Sequence, residues 1–307
     1  MKVSVVIPYR NEANKIKYTF KQIINQSYIP DEVIFVNSSS TDKSFELVNK
    51  LIKKNKSQIN FKNINTNSST PSMSKNIGIK NSKSRWVAFM DVDQKFSKNW
   101  LKNLIHFIKK EKIQCVIGLC KFRGKNTFDA ATICQTRGYD TYHEAIPSSI
   151  FEKNIFKKYG YFKNLRAGYD RDFINKIKKK IKYKINYKNN IEYKNNSIAK
   201  SYIDLFTKIK NYTYASLSID YKYKSFLIIL GVILFIFISK YNYQLSFYFF
   251  LFYVLVRGYG FPLIKSNNLS FIKKFPLSIL YLPFTSVVID LARFCAIIKK
   301  VFDYFNK

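Results

Sequence analysis

The sequence predicts an α/β protein in which a doubly wound, mostly parallel sheet is followed by C-terminal hydrophobic helices. Three observations lead to this prediction. β-branched runs alternate with segments of helical periodicity. Small polar and acidic residues follow these runs, at the sheet edge where such folds bind ligands. The later part of the chain is apolar and aromatic. We therefore expect three parts, covering residues 1–120, 121–210 and 211–307.

Five strands are expected in the first part of the chain, each a β-branched or aromatic run that ends at polar residues. They are Val3–Ile7, Glu32–Val36, Ile59–Ile64, Trp86–Met90 and Cys115–Cys120. Between them, apolar residues recur at helical spacing, and Ser72–Lys80 is predicted as a short helix. A further strand, Ile146–Phe151, is expected in the second part.

The fourth predicted strand ends in two acids, Asp91 and Asp93, separated by one residue. Side chains alternate along an extended chain, so both carboxylates can point the same way. Two close carboxylates repel each other unless a cation lies between them, and their oxygens suit Mg²⁺ or Mn²⁺. A turn rich in aspartate is the competing interpretation of an isolated Asp-x-Asp, so the flanking sequence has to decide.

Five short motifs, in order and at matching spacing, resemble the family 2 glycosyltransferases. They are Val3–Glu12, Asn-Gln-Ser-Tyr around Gln26, Ser39–Asp42, Lys75–Ile79 and Phe89–Asp93. A sixth lies near residue 170. The resemblance implies a GT-A fold, a nucleotide-sugar donor and a divalent metal, Mg²⁺ or Mn²⁺, held through the Asp-x-Asp.

The resemblance also assigns roles to individual residues. Pro8, Tyr9 and Glu12 would line the base and ribose pocket of the donor. Asp91 would meet the ribose or the metal, and Asp93 the metal that grips the diphosphate. Simpler interpretations stay open, because Pro8 could only end a strand and Glu12 could only stabilise a helix N-terminus.

Two predicted donor-binding positions depart from the family pattern. The family usually has two aspartates before Ser-Thr-Asp, the second of which commonly reads a uracil ring, whereas this chain has Asn37 and Ser38. Ser38 cannot supply a charged hydrogen-bond acceptor, so the identity of the donor's nucleotide base stays open. Lys75 replaces an arginine and could face a phosphate only as a point charge, without the planar fork.

Asp170 is the candidate catalytic base. It lies in Ala167–Phe173, where the family has Gly-Glu-Asp at a helix start, and Tyr169 replaces the glutamate. By resemblance, this aspartate takes the proton from the acceptor hydroxyl in an inverting reaction. Stabilisation by the helix dipole is the purely structural alternative. Asp172 is the weaker candidate because it faces elsewhere on the helix.

The chain carries 53 Lys and Arg against 19 Asp and Glu, a formal net charge of +34. This charge allows either nucleic acid or an anionic membrane as a partner. The four cysteines lack metal-ligand spacing and are expected to be reduced. No signal peptide precedes the first strand, so we expect this part in the cytosol. The polar stretch 121–144 predicts a solvated loop, or alternatively a basic pocket for a phosphorylated acceptor.

Two uncharged runs, Ser225–Ser239 and Leu245–Val256, predict a helical hairpin in the membrane with Asn242 at its tip. Two buried core helices of a soluble domain are the alternative. Phe275–Ile298 is also apolar but carries Asp290 and Arg293. Spanning there would leave the final lysines outside, so the positive-inside rule favours an interfacial or re-entrant helix.

The function expected from the sequence is a membrane-attached, metal-dependent, inverting glycosyltransferase. Its acceptor would be a lipid-linked saccharide at the cytoplasmic face of the inner (plasma) membrane. One alternative is a polyprenyl-phosphate sugar transferase, and another is a catalytically inactive member of the family. A basic nucleic-acid-binding protein is disfavoured, because the lysines are spread along the chain without an aromatic platform for RNA.

Overall fold

The computed structural model describes residues 1–67, 70–92, 94–193, 198–217, 231, 234–235 and 237–306. The chain divides into two compact units. Unit 1 comprises Met1–Lys121 and Tyr142–Lys194, and unit 2 comprises Phe122–Thr141 and Asn195–Lys307. The division into three parts stays a prediction.

The described residues form eight strands and twelve α-helices. The strands are β1 (Val3–Tyr9), β2 (Glu32–Ser38), β3 (Asn60–Thr66), β4 (Trp86–Phe89), β5 (Gln94–Lys95), β6 (Cys115–Phe122), β7 (His143–Glu152) and β8 (Tyr183–Tyr193). The helices are α1 (Ala13–Ile24), α2 (Ser44–Lys54), α3 (Pro71–Asn81), α4 (Trp100–Glu111), α5 (Thr127–Thr136), α6 (Asn154–Tyr159), α7 (Tyr169–Lys178), α8 (Tyr202–Leu217), α9 (Tyr243–Tyr253), α10 (Phe261–Lys265), α11 (Ser270–Lys274) and α12 (Ser278–Phe305). A π-helical segment, Val254–Gly260, joins α9 to α10.

Unit 1 contains one sheet with the strand order β3-β2-β1-β4-β7-β6-β8-β5. The strands β3, β2, β1 and β4 run parallel, and β7 pairs antiparallel with both β4 and β6. The predicted α/β class and the mostly parallel sheet are therefore confirmed. The predicted fifth strand is β6, which does not neighbour β4 because β7 lies between them.

The centre of the sheet is buried on both faces. Every residue of β2 and β4 is buried, including the polar Glu32, Asn37 and Ser38 of β2, as is typical of parallel strands in the middle of a sheet. Helix α3 lies close to β1, since a Cβ atom added at Gly78 would lie 2.3 Å from Val6 Cγ1. The glycine of the Lys-Asn-Ile-Gly motif therefore permits a close helix–strand contact.

Two segments differ from the sequence prediction. The solvated loop predicted for residues 121–144 is wrong, because Thr127–Thr136 forms α5 and buries Ala130, Ala131 and Cys134. These small side chains give a weak hydrophobic signal in the sequence, yet they allow close helix packing. In addition, Tyr183–Tyr193 forms β8, a strand that is absent from the sequence prediction, and its backbone pairs with β5.

Unit 2 consists of helices and contains the predicted C-terminal hydrophobic helices. Tyr243–Lys265 and Ser278–Phe305 are long and apolar enough to cross a membrane, by length and composition. The first run of the predicted hairpin, Ser225–Ser239, lies largely outside the described residues. Helix α12 packs against α8 and α5, with Leu282 beside Ala131 and Ile289 beside Leu205.

Candidate active site

Three segments of unit 1 bring predicted site residues together: helix α3, the residues after β4, and the start of α7. Lys75 Nζ lies 3.0 Å from Asp91 Oδ1 and 3.1 Å from the Tyr169 hydroxyl oxygen. The Lys75 side chain is 1% exposed and that of Asp91 is 24% exposed. Asp170 follows Tyr169 in the first turn of α7 and interacts electrostatically with Lys75 and Asp91.

Hydrogen bonds from α3 hold the segment that precedes α7. Asn76 Nδ2 donates to the Phe162 carbonyl at 2.8 Å, and the Phe162 amide donates back to Asn76 Oδ1 at 3.1 Å. Ser72 makes a similar reciprocal pair with the Leu165 backbone. Gly168 then adopts φ +80°, a left-handed conformation that favours glycine, immediately before α7. This scaffold places Asp170 beside the end of β4.

The Asp170 carboxylate is buried and only partly satisfied by hydrogen bonds. Its Oδ1 atom is buried and has no hydrogen-bond partner among the described residues. Burial raises the pKa of Asp170 from its ordinary value to about 6; Lys75 opposes this increase and the negative charge of Asp91 adds to it. A buried carboxylate with an unused oxygen and a pKa close to neutrality suits general base catalysis.

Lys75 remains a cation inside this cluster. Burial lowers its pKa, but the negative charge of Asp91 and the neighbouring Tyr169 and Asp170 more than compensate, so the pKa is raised overall. The pKa of Tyr169 is also raised, mainly by burial, so this phenol stays neutral and can donate or accept a hydrogen bond. One ammonium group therefore balances part of the charge of two carboxylates.

Asp172 is engaged elsewhere. Its Oδ1 atom lies 2.7 Å from Lys163 Nζ, a partner whose side chain is 59% exposed. An ion pair with an exposed lysine keeps this carboxylate at the protein surface, so Asp170 and Asp172 differ in both partner and environment.

The predicted donor-binding residues of β1 and β2 lie at the carboxyl ends of these strands, in varied surroundings. Pro8 is half-buried, whereas the Tyr9 side chain is buried and its hydroxyl donates to Asn63 Oδ1 at 2.7 Å. Glu12 precedes α1 and pairs with Lys15 at 2.5 Å. The Ser38 hydroxyl lies 2.6 Å from that of Ser74 on α3.

The loops after β1 and β2 are tied together by hydrogen bonds that sequence reasoning missed. Asp42 Oδ2 accepts from the Ala13 amide at 3.1 Å, and Asn11 Oδ1 accepts from the Thr41 amide at 2.8 Å. Despite partial desolvation, hydrogen bonds from Ser44 and Ala13 lower the pKa of Asp42. The Ser-Ser-Thr-Asp motif therefore fixes the loop at the strand ends.

Only one of the two predicted metal ligands, Asp91, lies within the described residues. Asp93 lies outside the described residues. Within the described part of the chain there is no group of three or more His, Cys, Asp or Glu side chains that could hold a metal ion. Asp91 offers hard oxygen atoms, but Lys75 already engages one of them.

Two further residues of the site escaped the sequence analysis. Tyr169 was seen only as a departure from the family motif, and Asn76 only as part of a motif. A signal in the sequence could have found Tyr169: Lys75 and Tyr169 both depart from the family pattern, and both lie in motifs that carry predicted site residues. The structure places these two residues in contact.

Sequence comparison identifies the family. The profile of glycosyl transferase family 2 matches residues 4–178, which is more than half of the chain. The chain belongs to glycosyl transferase family 2. Residues 4–178 therefore form a glycosyltransferase domain of this family.

Curated relatives of this glycosyltransferase include two bacterial enzymes. The poly(ribitol-phosphate) β-N-acetylglucosaminyltransferase TarP of Staphylococcus aureus is 28% identical over 230 residues, which cover 72% of this chain and 62% of TarP. The UDP-Glc:α-D-GlcNAc-diphosphoundecaprenol β-1,3-glucosyltransferase WfaP of Escherichia coli is 31% identical over 111 residues, covering 36% of this chain and 43% of WfaP. The chain thus spans less than two thirds of either relative.

Solved structures confirm the GT-A fold. TarS residues 1–349 of S. aureus, in complex with UDP-GlcNAc, match with a TM-score of 0.50 at 19% identity, covering 96% of this chain and 89% of that one. The mannosyltransferase PcManGT of Pyrobaculum calidifontis, in complex with GDP-Man and Mn²⁺, matches with a TM-score of 0.58 at 14% identity. The match covers 98% of this chain and 87% of PcManGT. These likenesses concern the fold alone.

Proposed function

We propose that this glycosyltransferase moves a sugar from a nucleoside-diphosphate sugar to an acceptor hydroxyl with inversion at the anomeric carbon, and that Asp170 is its general base. The observation that carries the proposal is the buried, unpartnered Oδ1 atom of Asp170 beside Lys75 and Asp91. A general base needs an oxygen that is free to accept the proton of the acceptor hydroxyl, and Oδ1 has no hydrogen-bond partner among the described residues.

In the proposed reaction, the Asp170 carboxylate accepts the proton of the acceptor hydroxyl. The acceptor oxygen forms a bond to the anomeric carbon as the bond to the diphosphate breaks on the opposite face. Lys75 and Tyr169 do not react. They fix the position of the first turn of α7, because Lys75 donates a hydrogen bond to Tyr169, which immediately precedes Asp170. The ammonium group of Lys75 also offsets the negative charge of Asp170.

On the donor side, we assign Asp91 to the ribose hydroxyls and Asp93 to a divalent ion, Mg²⁺ or Mn²⁺. The ammonium group of Lys75, 3.0 Å from Asp91, reduces the affinity of this carboxylate for a second cation, which supports the ribose role. The ion, when bound, supplies positive charge for the departing diphosphate. Pro8, Tyr9, Glu12 and Ser38 remain the proposed surroundings of the base and ribose.

The proposed acceptor is a lipid-linked saccharide at the cytoplasmic face of the inner (plasma) membrane. TarP is a poly(ribitol-phosphate) β-N-acetylglucosaminyltransferase and WfaP is a glucosyltransferase of α-D-GlcNAc-diphosphoundecaprenol, which supports an anionic acceptor that is carrier-linked or polymeric. A formal charge of +34 favours an anionic membrane surface. The absence of a nucleic-acid partner stays a prediction.

Donor turnover by purified full-length protein in detergent tests this proposal. A panel of nucleotide sugars is assayed with Mn²⁺, with Mg²⁺ and with EDTA, using either a polyprenyl-diphosphate-linked saccharide or polyprenyl phosphate alone as acceptor. We expect product of inverted configuration with the saccharide, and none with EDTA. Transfer to polyprenyl phosphate alone would identify a polyprenyl-phosphate sugar transferase instead. Neither transfer nor donor hydrolysis with any donor would indicate an inactive family member.

A further inference from the structure

Helix α12 has a buried face and, on its opposite side, an exposed apolar face. One face is buried against the rest of unit 2 and consists mainly of small or aliphatic residues: Ser278, Leu282, Thr285, Ile289, Ala292 and Ala296. The opposite face is exposed and apolar, with Leu280, Phe284, Leu291, Phe302 and Phe305 at 60%, 68%, 49%, 64% and 78% exposure. In water, such an exposed face would be unfavourable.

The exposed residues form one straight stripe. Phe284, Leu291 and Phe302 are 7 and 11 residues apart. At about 100° per residue, these steps return to the same side of the helix within roughly 20°. The charged residues of α12 all lie off this stripe: Asp290, Arg293, Lys299, Lys300 and Asp303. The stripe is therefore a continuous apolar surface on about 27 Å of helix.

Helix α8 lies along most of α12 on the protein side. Leu205 packs with Ile289 near the start of α8, and the Tyr214 hydroxyl donates to Asp303 Oδ2 at 2.6 Å near its end. Lys300 Nζ lies 4.6 Å from the centre of the Tyr214 ring. The two helices therefore run side by side from Ile289, about three turns into α12, to the last turn of α12.

Helix α8 carries charges that keep it in water. Asp204 and Lys208 form an ion pair at 2.9 Å with side chains 32% and 42% exposed, and Ile203 beside them is 82% exposed. If α12 crossed a bilayer, α8 would enter the hydrocarbon with these charges and with Lys299, Lys300 and Asp303. Each charge in the bilayer centre is strongly unfavourable. Length and composition alone do not reveal this conflict.

We propose that α12 does not cross the membrane but lies in the plane of an anionic bilayer, with the Phe284–Leu291–Phe302 stripe in the boundary between headgroups and acyl chains. The occupant of this surface is lipid, because the stripe is apolar throughout and two exposed lysines, Lys273 and Lys274, lie just before the helix, where anionic headgroups would attract them. This inference deepens the membrane attachment proposed above and is independent of the catalytic assignment.

Depth-dependent fluorescence quenching tests the proposal in the full-length protein. The variants Phe284→Trp, Leu291→Trp and Phe302→Trp are reconstituted into vesicles of phosphatidylcholine and phosphatidylglycerol that carry bromine at defined acyl positions. The native Trp86 and Trp100 are 6% and 1% exposed, so the wild-type protein provides the background signal. We expect all three new tryptophans at the same shallow depth, about 5–10 Å below the surface.

The matched control is Ile203→Trp on α8, which we expect to remain unquenched. A spanning helix would place Leu291→Trp near the bilayer centre and the other two near opposite surfaces, which would overturn the proposal. Equal absence of quenching at all three positions would also overturn it. The measurement uses no sugar donor and can be repeated in Asp170→Asn, so failure of this proposal is distinguishable from failure of the proposed reaction.

Discussion

The two units each contain a cluster of charged side chains that are at least partly buried, and the clusters differ in whether their hydrogen bonds are complete. In unit 2, Asp290 accepts from Arg257 Nε at 2.8 Å and Nη2 at 3.1 Å, from Arg293 Nη1 at 3.0 Å and from the Tyr253 hydroxyl at 3.0 Å. Both carboxylate oxygens therefore have two donors. In unit 1, Asp170 Oδ1 has no partner among the described residues.

The charge balance of the two clusters is also opposite. Unit 2 combines two arginines with one aspartate, whereas the described residues of unit 1 combine one lysine with two aspartates. A fully bonded cluster fixes the packing of helices, because each bond is lost if a helix moves. A cluster with an unused buried oxygen is less stable than it could be, which is typical of a site that awaits a substrate.

The largest expected effect is on catalysis by Asp170→Asn. Removing the base should reduce kcat by about 10²–10⁴-fold, since an amide cannot accept the acceptor proton. Stability should not fall, because the substitution removes a buried negative charge. The matched control, Asp172→Asn, loses only a pair with an exposed lysine and should change kcat less than about twofold. Comparable activity in Asp170→Asn and wild type would refute the assignment of the base.

The second effect concerns stability and should appear only in unit 2. Asp290→Ala leaves Arg257 and Arg293 without their carboxylate and should destabilise the protein by about 1–3 kcal/mol, seen as a lower Tm in detergent. Asp303→Ala, which removes one hydrogen bond from Tyr214, should lower Tm by less. Equal Tm values for these two variants would contradict a structural role for the Asp290 cluster.

The third effect concerns the coupling between Lys75 and Tyr169. Lys75→Arg and Tyr169→Glu each restore one residue of the family pattern but mismatch its neighbour, so each alone should lower kcat/KM. The double variant should recover part of the loss, with a coupling energy of about 1–3 kcal/mol in a double-mutant cycle. Strictly additive effects would show that the two departures from the family pattern are independent.

The smallest effect is the pH dependence of the wild-type enzyme. With a pKa of about 6 for Asp170, kcat/KM should fall about tenfold per pH unit below pH 6, as the base becomes protonated. As pH falls, the contribution of Asp170 to the free energy of unfolding should increase while kcat/KM decreases. Because the folded-state pKa is raised, the folded protein binds this proton more tightly, so wild type should gain stability relative to Asp170→Asn as pH falls through 6. An unchanged difference in Tm between pH 7 and pH 5 would argue against a buried Asp170.

Much of unit 1 could be predicted from sequence because its signals are local. The runs Val3–Ile7 and Glu32–Val36 are rich in β-branched and other apolar residues, and they match β1 and β2 within two residues. Helix α5 was missed because its buried face consists largely of small residues. Strand β8 was missed because frequent lysines mask the alternation that marks a strand, and its pairing with β5 is non-local.

The sequence by itself determined the α/β alternation, the family motifs and the candidate acids, because each depends on residues that are close together along the chain. The tertiary structure alone decided that Lys75 contacts Tyr169, 94 residues away, and that one oxygen of Asp170 is buried without a partner. It also decided which face of α12 is covered by α8. Burial and electrostatic coupling depend on which distant segments pack together, and a linear pattern carries no direct record of that packing.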